Sequence, residues 1–226
     1  MSIISFYERS KGSSHEASGK PCQDYGLCYE HNGVYIVIVC DGHGGNSYVR
    51  SDKGAELAAK ITHKEILDFV NMLPKSFFKD KEGSATAIPT INPLQDVNGN
   101  KIDFNNLSES QQEIVRQNKA YIDNKDKYPQ IECAFRTLFY YIVTAWKQAI
   151  QEDHDHVPFS DREKEQLGNR QIEKAYGTTL MAAVRTPKYW FAFHIGDGKL
   201  LTCDKLLQWT EPVPVSYTHL RAHETE

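Results

Sequence analysis

Val34-Tyr35-Ile36-Val37-Ile38-Val39-Cys40 runs without a polar residue into Asp41-Gly42-His43-Gly44-Gly45. A continuous, largely β-branched run of this length reads as a strand buried on both faces and central in a sheet. Its abrupt end on Asp-Gly places a polar, glycine-rich turn at the open end of that strand. Just upstream, Tyr25 to Glu30 is a second strand-like run, joined to the first through His31-Asn32-Gly33. Asn-Gly between two such runs predicts a hairpin and antiparallel neighbours.

Downstream of the turn, Ala55, Leu57, Ala58, Ile61, Ile66, Leu67 and Val70 recur at helical spacing, predicting a helix over Ser47 to Val70. From Pro74 to Gln130 the composition turns to Lys, Asp, Asn, Ser, Pro and Gly, with Asp96-Val97-Asn98-Gly99-Asn100 a turn and Leu107 to Asn118 helical. This stretch reads as a polar insertion. Ile131 to Gln151 is again an apolar helix, in which Tyr140, Tyr141 and Trp146 belong to the core. Thr178 to Arg185 and Tyr189 to Ile195, separated by Thr186-Pro187-Lys188, predict a second hairpin, and Leu200 to Cys203 a further strand.

A chain of 226 residues, 40% hydrophobic, can bury one sizeable core, and a single α+β domain is the simplest organisation. With 26 basic against 30 acidic residues the net charge is -4, which offers no long-range attraction to nucleic acid or an anionic membrane. The amino terminus lacks a basic segment leading into an apolar one, and no run of about 18 apolar residues occurs. These features predict a soluble, cytoplasmic, monomeric protein. The five cysteines are scattered without a Cys-x-x-Cys pair and read as reduced thiols, Cys40 as a buried one.

The tail from Val215 to Thr225 has no apolar period and matches, without a break, the translation of a transposase adapter used in sequencing libraries. We therefore expect residues 215–226 to be a non-native tail, and the natural chain to continue past Pro214. No metal site is expected of His219 and His223 despite their i, i+4 spacing.

Three carboxylates stand next to strand ends: Asp24 in Gln23-Asp24, Asp41 in Asp-Gly-His-Gly-Gly, and Asp197 in Gly196-Asp197-Gly198. Carboxylate oxygens are hard donors suited to magnesium or manganese, and glycines let a backbone approach an ion or a phosphate closely. Whether Asp24 reaches Asp41 depends on strand register, which the sequence leaves open. Glu152-Asp153-His154-Asp155-His156 also has metal-like composition, but as an extended polar loop it is read as solvated surface.

Gln23-Asp24, Asp41 to Gly45, Gly177-Thr178-Thr179 and Gly196-Asp197-Gly198, in that order, resemble the landmarks of the metal-dependent protein phosphatase 2C family. The resemblance implies a four-layer α-β-β-α sandwich of two antiparallel sheets flanked by helices, with residues 1–214 a partial domain and 74–130 an insertion. It implies hydrolysis of phosphoserine and phosphothreonine in a phosphorylated protein substrate by metal-activated water, with two Mn2+ or Mg2+ ions and a weaker third. Asp41, the Gly42 carbonyl and Asp24 would hold metal, Asp197 would help hold the third ion, and His43 would be general acid to the departing oxygen. Gln23 stands where the family often has Glu, which weighs against direct ligation from that position. No arginine takes the family's phosphate-gripping place, His15 and Lys20 being the nearest basic groups. The family's later metal-binding aspartates fall beyond the adapter junction, so an impaired fragment is expected. A non-catalytic phosphatase-like binding module, or a hydrolase of another phosphoester, are the competing readings.

Overall fold

The computed structural model describes residues 3–19, 21–72, 103, 105, 112, 130–187, 189–213 and 219–224. The polar insertion, with its turn at 96–100 and helix at 107–118, lies almost wholly outside them. The chain divides into two compact units, residues 1–63 with 149–226, and residues 64–148.

The first unit is built on the predicted hairpin. β1 (Tyr25–His31) and β2 (Val34–Cys40) pair antiparallel in the register Tyr25↔Cys40 to His31↔Val34. Asn32 at φ 52° and Gly33 at φ 76° supply the two left-handed residues that a tight hairpin turn needs. β3 (Leu180–Arg185) and β4 (Tyr189–Ile195) form the second hairpin, and with β7 (His219–Glu224) the strand order is β1-β2-β3-β4-β7. β2 is thus interior, as expected. Its burial is one-sided, however: Ile36, Ile38 and Cys40 are fully buried, whereas Val39 on the other face is 40% exposed. Burial pushes the Cys40 thiol up to about 12, so it is inert at neutral pH. A second, two-stranded antiparallel sheet joins β5 (Leu200–Cys203) to β6 (Trp209–Val213), a strand not anticipated. The class is therefore α+β with two antiparallel sheets.

β7 (His219–Glu224) lies within the adapter-like stretch and pairs along β4 from Tyr189↔Glu224 to His194↔His219. No side-chain periodicity called for a strand there. The edge of β4 presents a row of backbone donors and acceptors, which an extended segment can pair with whatever its side-chain pattern.

α1 (Ser13–Ser18) is a six-residue helix that the sequence did not suggest. α2 (Ser51–Met72) begins four residues after the predicted Ser47, because residues 45–50 form turns, with Tyr48 N donating to Gly45 O. α3 (Gln130–His156) runs past its predicted end and takes in Glu152 to His156. That corrects the extended-loop reading: on a helix His154 and His156 do not face the same way. His154 packs 4.7 Å from Phe159, and His156 Nδ1 contacts the carbonyl of Glu152 at 2.7 Å. α4 (Asp161–Leu167) carries a signal that went unused, the capping box Ser160-x-x-Glu163, with both reciprocal hydrogen bonds formed. A 3₁₀ turn, Ile172–Tyr176, leads into β3. In the second unit the Phe69 and Phe135 rings lie 5.2 Å apart in a tilted pair, and Ile66, Leu138 and Ile142 are buried. None of the described helices is long and apolar enough to cross a membrane.

Arg50 ties the first unit together. Its Nε donates to Glu163 Oε1 at 2.8 Å, Nη1 to the Val157 carbonyl at 2.6 Å and to the Tyr176 hydroxyl at 3.0 Å. The Tyr176 hydroxyl in turn donates to Asp153 Oδ2 at 2.6 Å, and the guanidinium lies 4.5 Å over the Phe159 ring. The Arg50 hydrogen bonds, then those from Ser160, hold the Glu163 carboxyl down to about 2 against the ordinary 4.5. A depressed folded-state value stabilises the fold above about pH 4.5 and is lost as pH falls toward about 2. With Glu163 partly solvated, the contribution at neutral pH is on the order of 2 kcal/mol. Glu163→Gln is expected to lower stability by that amount at pH 7, the gap to the parent closing between about pH 4.5 and 2 in denaturant titrations. An equal gap at pH 7 and pH 2 would exclude this linkage.

Candidate active site

Register answers the question the sequence left open. The β1–β2 pairing, continued one step beyond Tyr25↔Cys40, sets Asp24 opposite Asp41. The β2–β3 pairing continues in the same way: Thr179 N donates to the Asp41 carbonyl at 2.8 Å, the Asp41 N–H donates to Thr179 Oγ1 at 3.1 Å, and Gly42 bridges to Thr178. The β3–β4 register, Leu180↔Ile195, then brings Gly196 beside Thr179, whose Cγ2 would stand 2.8 Å from a Cβ on Gly196. Asp24, Asp41 and the turn carrying Asp197 therefore line the same end of four consecutive strands.

Asp41 is exposed, yet its carboxyl is raised above the usual range. Desolvation by its surroundings is the first cause; the charge of Asp24, a hydrogen bond shared with that carboxyl and the charge of Asp197 add to it, and His43 opposes them. Like charges gathered on hard oxygens suit a divalent cation. Gly42 has no room for a side chain: a Cβ there would stand 2.4 Å from the Gln23 carbonyl oxygen and 2.9 Å from that of Ser51. Among the described residues, no group of three His, Cys, Asp or Glu stands in metal-holding geometry. The donor chemistry fits a hard cation, and the described residues do not by themselves close its cage.

Gln23 is buried and acts on the loop. Its Nε2 donates to the His43 carbonyl at 3.1 Å and to Ser51 Oγ, bracing the turn between β2 and α2. His43 is further fixed by its N–H donating to the Gly177 carbonyl at 3.0 Å and by an edge-on contact with Tyr48 at 4.7 Å. The turn bearing Asp197 is held by buried His194, whose Nδ1 donates to the Gly196 carbonyl at 3.1 Å, with Gly196 at φ 110°.

His15 lies in α1. Lys20 falls outside the described residues. The cation that sequence reasoning missed is Arg9. Tyr7 lies against β1, where a Cβ on Gly26 would be 2.4 Å from its ring. Two residues further on, Arg9 Nη1 donates to the Asp24 carbonyl at 3.0 Å, and the guanidinium sits 5.6 Å over the Tyr25 ring. Its separation of 15 residues from Asp24 leaves no local signal in the sequence.

A comparison with curated proteins finds no match. A family model described as protein phosphatase 2C matches residues 11–220, which take in Asp24, the Asp-Gly-His-Gly-Gly loop, Thr178-Thr179 and Asp197. Those are the residues that four strands bring to one end of the sheet, and the chain belongs to the protein phosphatase 2C family.

Proposed function

We propose that the protein hydrolyses phosphoserine and phosphothreonine esters of proteins, with Mn2+ or Mg2+ as cofactor. The observation that supports this reading most directly is the run of strand registers that gathers Asp24, Asp41 and Asp197, where desolvation first and then the neighbouring carboxylates raise the Asp41 carboxyl. Asp41, Asp24 and the Gly42 carbonyl would hold the cations, with Asp197 holding a weaker one; the four-layer arrangement of the family goes with this reading. When bound, such ions supply Lewis acidity toward phosphate and lower the pKa of water.

The chain's own residues do the remaining work. His43, carried on a loop braced by Gln23 and Gly177, gives a proton to the departing serine or threonine oxygen. Arg9 has guanidinium N–H groups besides the one donated to Asp24 and is suited to a bidentate grip on phosphate, with His15 and Lys20 as further basic groups of the same segment.

The test is metal removal. Turnover of a phosphothreonine peptide should vanish in chelator and return with Mn2+ or Mg2+, and nucleotides should be hydrolysed less readily than the peptide. Turnover that persists without metal would overturn the reading. Metal binding without turnover of any phosphoester would favour a non-catalytic binding module.

A further inference from the structure

Lys174, in the 3₁₀ turn before β3, is held by an aromatic ring and not by a carboxylate. Its Nζ donates to the Tyr48 hydroxyl and lies 4.2 Å from the centre of the Tyr48 ring. The seat of that ring is built to shape. A Cβ on Gly45 would stand 3.2 Å from it, and a Cβ on Gly177 would meet it at 2.5 Å and His43 Cδ2 at 2.9 Å. Lys53, Lys60 and Lys164 each pair with an acid on their own helix, whereas Lys174 makes no ion pair among the described residues. Lys174 is itself half-buried.

The two ring contacts, 4.7 Å from His43 to Tyr48 and 4.2 Å from Tyr48 to the ammonium, put the charge no farther than about 9 Å from the imidazole. An extended peptide advances at most about 3.3–3.6 Å per residue. A side chain within about three residues of the one bonded to the phosphate therefore comes within reach.

We propose that Lys174 is a specificity-determining residue that takes an acidic side chain flanking the phosphorylated residue of the substrate. The inference rests on the phosphatase reading above. The overall charge of -4 repels acidic peptides, so a preference for them has to come from a local cation of this kind.

The test compares two phosphothreonine peptides that differ only in carrying glutamates or lysines at the three positions on either side, with Mn2+ present and p-nitrophenyl phosphate as a substrate without flanks. The readout is the ratio of kcat/KM values. The acidic peptide should be preferred about 10-fold, as expected of one charge-assisted contact, and less so at high salt. Lys174→Met, which keeps the alkyl stem against Tyr48, should bring the ratio toward one; Lys174→Arg should keep it and Lys174→Glu invert it. A purely structural role would lower both peptides together and leave the ratio intact in Lys174→Met, which would overturn the proposal. Turnover of p-nitrophenyl phosphate by the parent protein with no preference between peptides would overturn it alone. No turnover of any of the three substrates would overturn the phosphatase reading and this inference with it.

Discussion

Replacing Asp41 by asparagine is expected to lower kcat/KM toward a phosphothreonine peptide by at least about 1,000-fold while raising the unfolding temperature of the metal-free protein. The two effects share one cause. In the proposed function this carboxylate holds a divalent cation, and the neutral amide would be a far weaker ligand for so hard an ion. Without metal, that same carboxylate is partly desolvated and faces Asp24 and Asp197. A carboxyl raised above its unfolded value costs stability once it ionises, so the parent loses stability as pH rises through the carboxylate range and the asparagine variant is spared that loss. The backbone contacts of Asp41, from its N–H to Thr179 Oγ1 and to its carbonyl from Thr179 N and Thr178 Oγ1, do not involve the carboxyl group. The strand end should therefore keep its shape. Melting curves in chelator at pH 7 and pH 3, with steady-state kinetics in Mn2+, check both halves: the variant should melt higher at pH 7 and the difference should shrink at pH 3. Unimpaired turnover would remove Asp41 from the ligand set, and a lower melting temperature at pH 7 would remove the repulsion.

What could be read in the sequence was what is local. The β1–β2 hairpin followed from Asn32-Gly33 and two apolar runs, and its register then put Asp24 opposite Asp41. The second hairpin and both long helices followed from periodicity. The register itself was not legible, because pairing across strands is fixed by turn geometry and by which face is buried, and only the structure shows both. The one-sided burial of β2 had no counterpart in its sequence, since Val37 and Val39 are as apolar as Ile36 and Ile38.

Residues acting at long separation were equally hidden. Arg9 meets Asp24 because Gly26 leaves space for Tyr7, and Lys174 meets Tyr48 across 126 residues. Gln23, where the family often has Glu, was read only as weighing against direct ligation, and its amide does something a carboxylate could not: it donates to the His43 carbonyl. α4 was legible through the capping residues Ser160 and Glu163.

Gly54→Ala should be the most damaging single-methyl change in the first unit, against the usual sign of that substitution. In a helix interior alanine is favoured over glycine by about 1 kcal/mol, so on propensity alone the variant would be more stable. Here a Cβ on Gly54 would lie 1.8 Å from the Tyr176 carbonyl oxygen, 2.6 Å from its carbon and 2.9 Å from its Cα. These are backbone atoms, which cannot swing aside as the end of a side chain can. Relief requires the 3₁₀ turn to shift, and its neighbours are what hold the site: the Ala175 carbonyl accepts from Arg50 N at 2.9 Å, the Tyr176 hydroxyl from Arg50 Nη1, and the Gly177 carbonyl from His43 N. A net loss of about 3 kcal/mol is expected once overpacking outweighs the propensity gain. Activity should fall further than the folded fraction does, because a displaced Gly177 leaves both His43 and Tyr48 unseated. Gly12→Ala, where a Cβ meets nothing within 4 Å, is the control and should change stability by well under that amount. Urea midpoints and kcat measured on the folded fraction separate the two effects. A Gly54→Ala protein as stable as its parent would mean that α2 and the turn can part without cost.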